Sequence, residues 1–156
     1  MKPTVYIETS VVSYLTSRPS RDLVLAAHQQ LTREWWEKRS RFDLFISELV
    51  LREMSLGDLD AAARRLEAVQ GIAVVALSDE ATNLARTFVE RGPIPEKALA
   101  DALHISLSVL SGIDYLLTWN CSHIANAMIR SKIEEVCREA GYDPPVICTP
   151  EELMED

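Results

Sequence analysis

Short runs of β-branched and aromatic residues alternate along the chain with longer stretches of helical periodicity. Thr4-Val5-Tyr6-Ile7 predicts a buried strand. From Ser20 as N-cap, Val24, Ala27, Leu31 and Trp35 recur at helical spacing and predict a helix facing the core with those positions. Leu44-Phe45-Ile46-Ser47 predicts a second strand, followed by a helix from Glu48 to Leu56 closed by Gly57. Asp58 or Asp60 starts the next helix, with Ala62, Leu66 and Val69 on one face and Gly71 at its end. Ile72 to Leu77 predicts a third strand, and Ser78 caps a helix running to about Arg91. After the break Gly92-Pro93-Ile94-Pro95, an apolar helix runs from about Glu96 to Leu110 and stops at Gly112. Tyr115 to Thr118 predicts a fourth strand, Ile124 to Ala140 a long helix, and Val146-Ile147-Cys148 a fifth strand. Thr149, Pro150 and Glu152 then spell a helix start with a capping box.

Strands separated by helical stretches require crossover connections. The expected fold class is therefore α/β, with a central, mainly parallel sheet of about five strands flanked by helices on both faces as a three-layer sandwich. No repeat or linker interrupts the pattern, so residues 1–156 are expected to form a single domain.

Composition narrows the function classes. The chain of 156 residues carries 16 Lys+Arg against 24 Asp+Glu, a formal charge of −8, which disfavours coating nucleic acid through bulk positive charge. A local site acting on nucleic acid stays open. The longest apolar runs are too short for a transmembrane helix, so no membrane partner is expected. Met1-Lys2-Pro3-Thr4 leads straight into a strand, unlike a secretory leader. Cys121, Cys137 and Cys148 are odd in number and form no C-x-x-C pair, which reads as reduced thiols in a cytoplasmic protein.

In an open parallel sheet, sites form outside the carboxyl ends of the strands. Glu8-Thr9-Ser10 follows the first strand and Thr118-Trp119-Asn120 ends the fourth; Glu48 and Glu53 lie on the helix after the second, and Asp101 lies in the helix before the fourth. Glu8 reads equally as a ligand or as a strand-exit cap. Asp101 sits among apolar neighbours and needs a metal or a partner, for which Lys97 one turn earlier is the local choice. Glu53 alone reads as part of a solvated helix face beside Arg52, and Asn120 alone as a turn residue. Taken together, three carboxylates would repel one another, and a hard divalent cation, Mg²⁺ or Mn²⁺, relieves that repulsion. Competing chemistries are weaker. Cys121-Ser122-His123 lacks a matching zinc pair, His28 and His104 being distant in sequence; G-x-S-x-G and phosphate-cradling glycine loops are absent. The Trp35-Trp36 pair and Trp119 read as core or interface. A receiver-like phosphoacceptor would need a lysine after the last strand, where Cys148-Thr149-Pro150 stands.

Tyr6-Ile7-Glu8-Thr9-Ser10, Ser47 to Glu53 with Gly57, Asp101-Ala102-Leu103-His104-Ile105, and Leu117-Thr118-Trp119-Asn120 resemble the four motifs of PIN-domain ribonucleases, in particular the VapC-like toxins of prokaryotic toxin–antitoxin pairs. The likeness spans the chain and includes the ending Ile147 to Leu153. It implies a PIN-like fold and an Mg²⁺- or Mn²⁺-dependent endoribonuclease, with RNA as substrate, an antitoxin partner and a homodimer that apolar surface such as Trp35 and Trp36 could serve. By resemblance the acidic positions fall on Glu8, Glu53 and Asp101, the fourth on Asn120, and the supporting hydroxyls on Ser10 and Thr118. Glu53, not Glu48, matches the second motif. Arg18, Arg21 and Lys97 are candidate phosphate contacts. Glu8 and Asn120 depart from the aspartates common in the family, so the alternative is a catalytically weakened PIN-fold scaffold acting through protein partners.

Overall fold

The computed structural model describes residues 1–155. Strands β1 (Thr4–Ile7), β2 (Asp43–Ser47), β3 (Ala73–Val75), β4 (Tyr115–Leu117) and β5 (Val146–Cys148) form one sheet in the order β3-β2-β1-β4-β5, with every pairing parallel. Around it lie helices α1 (Thr9–Thr16), α2 (Leu23–Glu37), α3 (Glu48–Met54), α4 (Leu59–Ala68), α5 (Asp79–Glu90), α6 (Leu99–Leu110) and α7 (Ala127–Glu139). The expected α/β architecture, a parallel sheet covered by helices, is what the structure shows. Central β1 is buried on both faces, since Val5, Tyr6 and Ile7 are all fully buried, which is why it reads as a continuous apolar run. The chain lays β2 and β3 on one side of β1 and returns to place β4 and β5 on the other. The strand order therefore reverses between β1 and β4, and the crevice at their carboxyl ends is where ligands bind in such sheets.

Helix α1 was not foreseen. Thr9–Thr16 is rich in β-branched and hydroxyl side chains, poor helix formers, yet Val11 and Val12 are fully buried, and tertiary packing overrides propensity. In α2 the N-cap is Asp22, whose side chain accepts from Leu25 N, not Ser20. The buried face is Gln29, Thr32 and Trp35, while Val24 and Ala27 are exposed. Hydrogen bonding sets that rotation. The Gln29 amide donates to Ser17 Oγ and Arg18 O, both at 2.9 Å, and accepts from Ser20 N, fastening the α1–α2 turn. Thr32 Oγ1 accepts from the Trp119 indole at 2.7 Å. Trp35 lies in the core and so cannot serve a dimer surface; Trp36 is half-buried beneath Arg39. Helix α7 starts at Ala127 with Asn126 as N-cap, three residues after the expected Ile124. The terminal capping box forms reciprocally, Glu152 Oε1 accepting from Thr149 N and Thr149 Oγ1 from Glu152 N, but it closes a turn over residues 150–153 and starts no helix.

Candidate functional site

Glu8 stands where β1 ends and α1 begins, and it is both strand exit and helix cap. It is only 5% exposed, so its carboxylate depends on protein donors. Oε2 accepts from Ser10 N at 3.1 Å, and Oε1 accepts from Ser10 Oγ and from Thr118 Oγ1, the latter at 2.5 Å. Both hydroxyls are aimed from behind: Ser10 Oγ accepts from Trp119 N and Thr118 Oγ1 from Asn120 N, each at 2.9 Å. The backbone leaving β4 thus turns two hydroxyl hydrogens onto Glu8 across the β1–β4 switch point.

Glu53 comes from α3, whose N-terminus Ser47 caps by accepting from Val50 N. The far end of α3 is clamped by Arg65 of α4, which donates to Met54 O and Leu56 O, and the chain then turns through Gly57 at φ +83°, a left-handed conformation suited to glycine. Glu53 Oε1 accepts from Thr9 Oγ1 at 2.5 Å and from His104 Nε2 at 2.6 Å. Partial burial pushes the Glu53 carboxyl up, but the hydrogen bonds from His104 and Thr9 outweigh it and hold the group below its ordinary 4.5. Glu48 is turned elsewhere, its Oε1 accepting from Leu77 N at 2.6 Å, which leaves Glu53 as the acid of this helix that faces the crevice.

Potential ligand atoms of Glu8, Glu53 and His104 all lie within 4.8 Å of one another. Asp101 does not join that group. It sits in the first turn of α6, one helical turn before His104, and its Oδ2 accepts from His123 Nδ1 at 3.1 Å; the local ion pair with Lys97 does not form. The Asn120 side chain closes the turn after β4, its Oδ1 accepting from His123 N at 3.1 Å. Arg18, Arg21 and Lys97 are exposed and stand outside the ion pairs found among the described residues, but none lines the cleft. That cleft, of about 460 Å³, is bounded by Glu8, Ser10, Ser13, Tyr14, Glu53 and Leu56. A larger hollow of about 710 Å³ lies at the amino ends of the strands, where Asp114 is already bonded to Thr4, so size alone does not locate the chemistry.

The donor set suits a hard divalent cation. Carboxylate oxygens dominate, no Lys or Arg pairs with Glu8 or Glu53 among the described residues, and Glu53 Oε2 accepts no hydrogen bond there. His104, Thr9, Tyr6, Ser47 and His123 were not among the expected site residues. The signals were present: Tyr6 and Glu8 are two apart and so share one side of β1, and His104 follows Asp101 at helical spacing.

No protein-family model matches the chain, and no curated protein matches it. Among solved structures it is similar to VapC20 of Mycobacterium tuberculosis, a Sarcin-Ricin loop cleaving toxin, with a TM-score of 0.60 and 17% identity over 76% of this chain and 92% of that one. It is also similar to VapBC2 of Rickettsia felis, solved bound to a DNA fragment from its promoter, with a TM-score of 0.59 and 14% identity over 94% of this chain and 98% of that one. At these identities the likeness establishes the fold, that of VapC-like PIN domains. No helix among the described residues is long and apolar enough to cross a membrane.

Proposed function

We propose that this chain is a divalent-metal-dependent endoribonuclease, the toxin of a toxin–antitoxin pair. The observation that carries it is the pair Glu8 and Glu53, drawn together at the carboxyl edge of a PIN-fold sheet with no Lys or Arg paired to either among the described residues. Glu8, Glu53 and Asp101 would hold Mg²⁺ or Mn²⁺, with Asn120 contributing through the loop it closes. When bound, such an ion supplies Lewis-acid stabilisation of a phosphoryl oxygen and a nucleophile from water at neutral pH. The protein's own part is to keep its acids aimed: Ser10 and Thr118 orient Glu8, Thr9 and His104 orient Glu53, and His123 orients Asp101. Arg18, Arg21 and Lys97, exposed and outside the lining of the cleft, are the proposed contacts to RNA phosphates.

The likeness to VapC20 and to VapBC2 supports RNA as the substrate and an antitoxin as the partner. A charge of −8 suits a basic partner segment, and self-association as a homodimer belongs to the same reading. The test is cleavage of a structured RNA with Mg²⁺ or Mn²⁺, its loss in EDTA, and its loss in Glu8→Gln and Asp101→Asn proteins that remain folded. Cleavage intact in Asp101→Asn refutes the site. Calorimetry showing no Mn²⁺ binding at millimolar concentration would replace this reading with that of a PIN-fold scaffold.

A further inference from the structure

A buried polar chain runs from the start of α3 to the Glu53 carboxylate. Val50 N donates to Ser47 Oγ at 3.2 Å; Ser47 Oγ lies 2.7 Å from the Tyr6 hydroxyl, that hydroxyl lies 2.8 Å from His104 Nδ1, and His104 Nε2 lies 2.6 Å from Glu53 Oε1. Tyr6, Ser47 and His104 are all fully buried. Water therefore does not complete this chain, and its hydrogens follow by elimination.

A carboxylate only accepts, so Nε2 carries a hydrogen. Were Nδ1 to carry one as well, it would donate to Tyr6 and Tyr6 to Ser47, and the Ser47 hydroxyl hydrogen would have no acceptor among the described residues. Buried donors are rarely left so. The opposite direction leaves nothing over: Ser47 donates to Tyr6, Tyr6 donates to Nδ1, and Nε2–H donates to Glu53. The geometry points to His104 as a positioning residue for Glu53, not a metal ligand, locked in its Nε2–H form by Tyr6 and Ser47 so that Glu53 Oε2 is left for the cation. This rests on the metal-site reading above. Direct ligation is the competing arrangement, because Nε2 lies within 4.8 Å of the carboxylate ligand atoms; it would require Nε2 to lose both its hydrogen and its bond to Glu53.

Two measurements decide it. In metal-free protein, long-range ¹H–¹⁵N spectra of labelled histidine should show the His104 ring with hydrogen on Nε2 and Nδ1 accepting; a hydrogen on Nδ1 overturns the proposal. Mn²⁺ affinity, read by electron paramagnetic resonance, should fall roughly 10–100-fold in His104→Leu, the loss typical of an outer partner of a ligand. His104→Gln, which keeps an N–H near the same place, should recover most of that affinity. Equal losses in folded Leu and Gln proteins, or a nitrogen hyperfine coupling to bound Mn²⁺ assigned to His104, overturn it. Failure of the wild-type protein to bind Mn²⁺ would overturn the metal-site reading, while the ring spectrum, taken without metal, still decides whether His104 donates to Glu53.

Discussion

Replacing Thr118 by valine removes one hydroxyl and little volume, and it strikes the point where β4 supports Glu8. Thr118 is fully buried; its Oγ1 donates to Glu8 Oε1 at 2.5 Å and accepts from Asn120 N at 2.9 Å. A hydrogen bond to a charged group contributes about 1.5–3 kcal/mol, and an amide stripped of its acceptor adds roughly 1 kcal/mol. The expected loss is therefore about 2.5–4 kcal/mol, on the order of 10 °C in Tm for a chain of this size. Urea unfolding in EDTA at neutral pH measures it, with an unchanged m-value showing that the denatured state is not the cause. Thr118→Ser keeps the hydroxyl and should retain most of the stability. In a Glu8→Gln background the charged acceptor is gone, so Thr118→Val should cost about 1–2 kcal/mol less there, the coupling of a contacting pair. A Thr118→Val protein within 0.5 kcal/mol of wild type, on the ~0.5 kcal/mol scale of ordinary surface changes, or an equal loss in both backgrounds, would refute the placement of Glu8 as a carboxylate held across the switch point.

Three further outcomes are expected. Cys121 is exposed while Cys137 and Cys148 are buried, so a thiol reagent should titrate one group in the native protein and all three in guanidinium. Burial pushes Cys137 up to about 11 and Cys148 up to about 12 from an ordinary 9.0, so their contribution to stability is complete below pH 9 and is lost as pH rises from there towards those values. Each thiol then steepens the loss by up to about 1.4 kcal/mol per pH unit, and a Cys137→Ala/Cys148→Ala protein should show a flatter alkaline limb in urea midpoints. Arg65→Met keeps the packed stem but removes the donors to Met54 O and Leu56 O, so it should lower stability by about 1–2 kcal/mol and weaken Mn²⁺ binding through α3; Arg64→Met, at an exposed neighbour, should do neither.

Legibility followed locality. Gly57 and Gly71 mark helix ends because a left-handed residue there almost demands glycine, and the run Thr4–Ile7 marks a buried strand because nothing polar interrupts it. Glu8 was legible as a carboxylate at a strand end, where a charge needs an explanation. Helix α1 was not, because propensity argued against it and the burial of Val11 and Val12 that favours it is set by the rest of the fold. The face of α2 was misread for the same reason: Gln29 and Thr32 look like surface residues until the turn and the Trp119 indole that they bond are in place. His104 lay inside a recognised motif but acquired a role only with Tyr6 and Glu53, which are 98 and 51 residues away along the chain.

Asn120, at a position where the resemblance to PIN-domain motifs leads one to expect an acid, takes a physical reading from the same loop. An aspartate at that position would add a fourth negative charge to a site already acidic. The amide instead accepts from His123 N, and His123 in turn donates to Asp101, so one turn after β4 fastens Asp101 without contributing charge of its own. The same β4 exit sends Trp119 N to Ser10 and Asn120 N to Thr118, the two hydroxyls that hold Glu8. Three consecutive residues, Thr118 to Asn120, therefore set the orientation of Glu8 and of Asp101 through different bonds. A substitution at Asn120 that breaks the turn should disturb Asp101 through His123 even where no ligand is lost, whereas Asn120→Asp keeps the accepting oxygen and should preserve the turn.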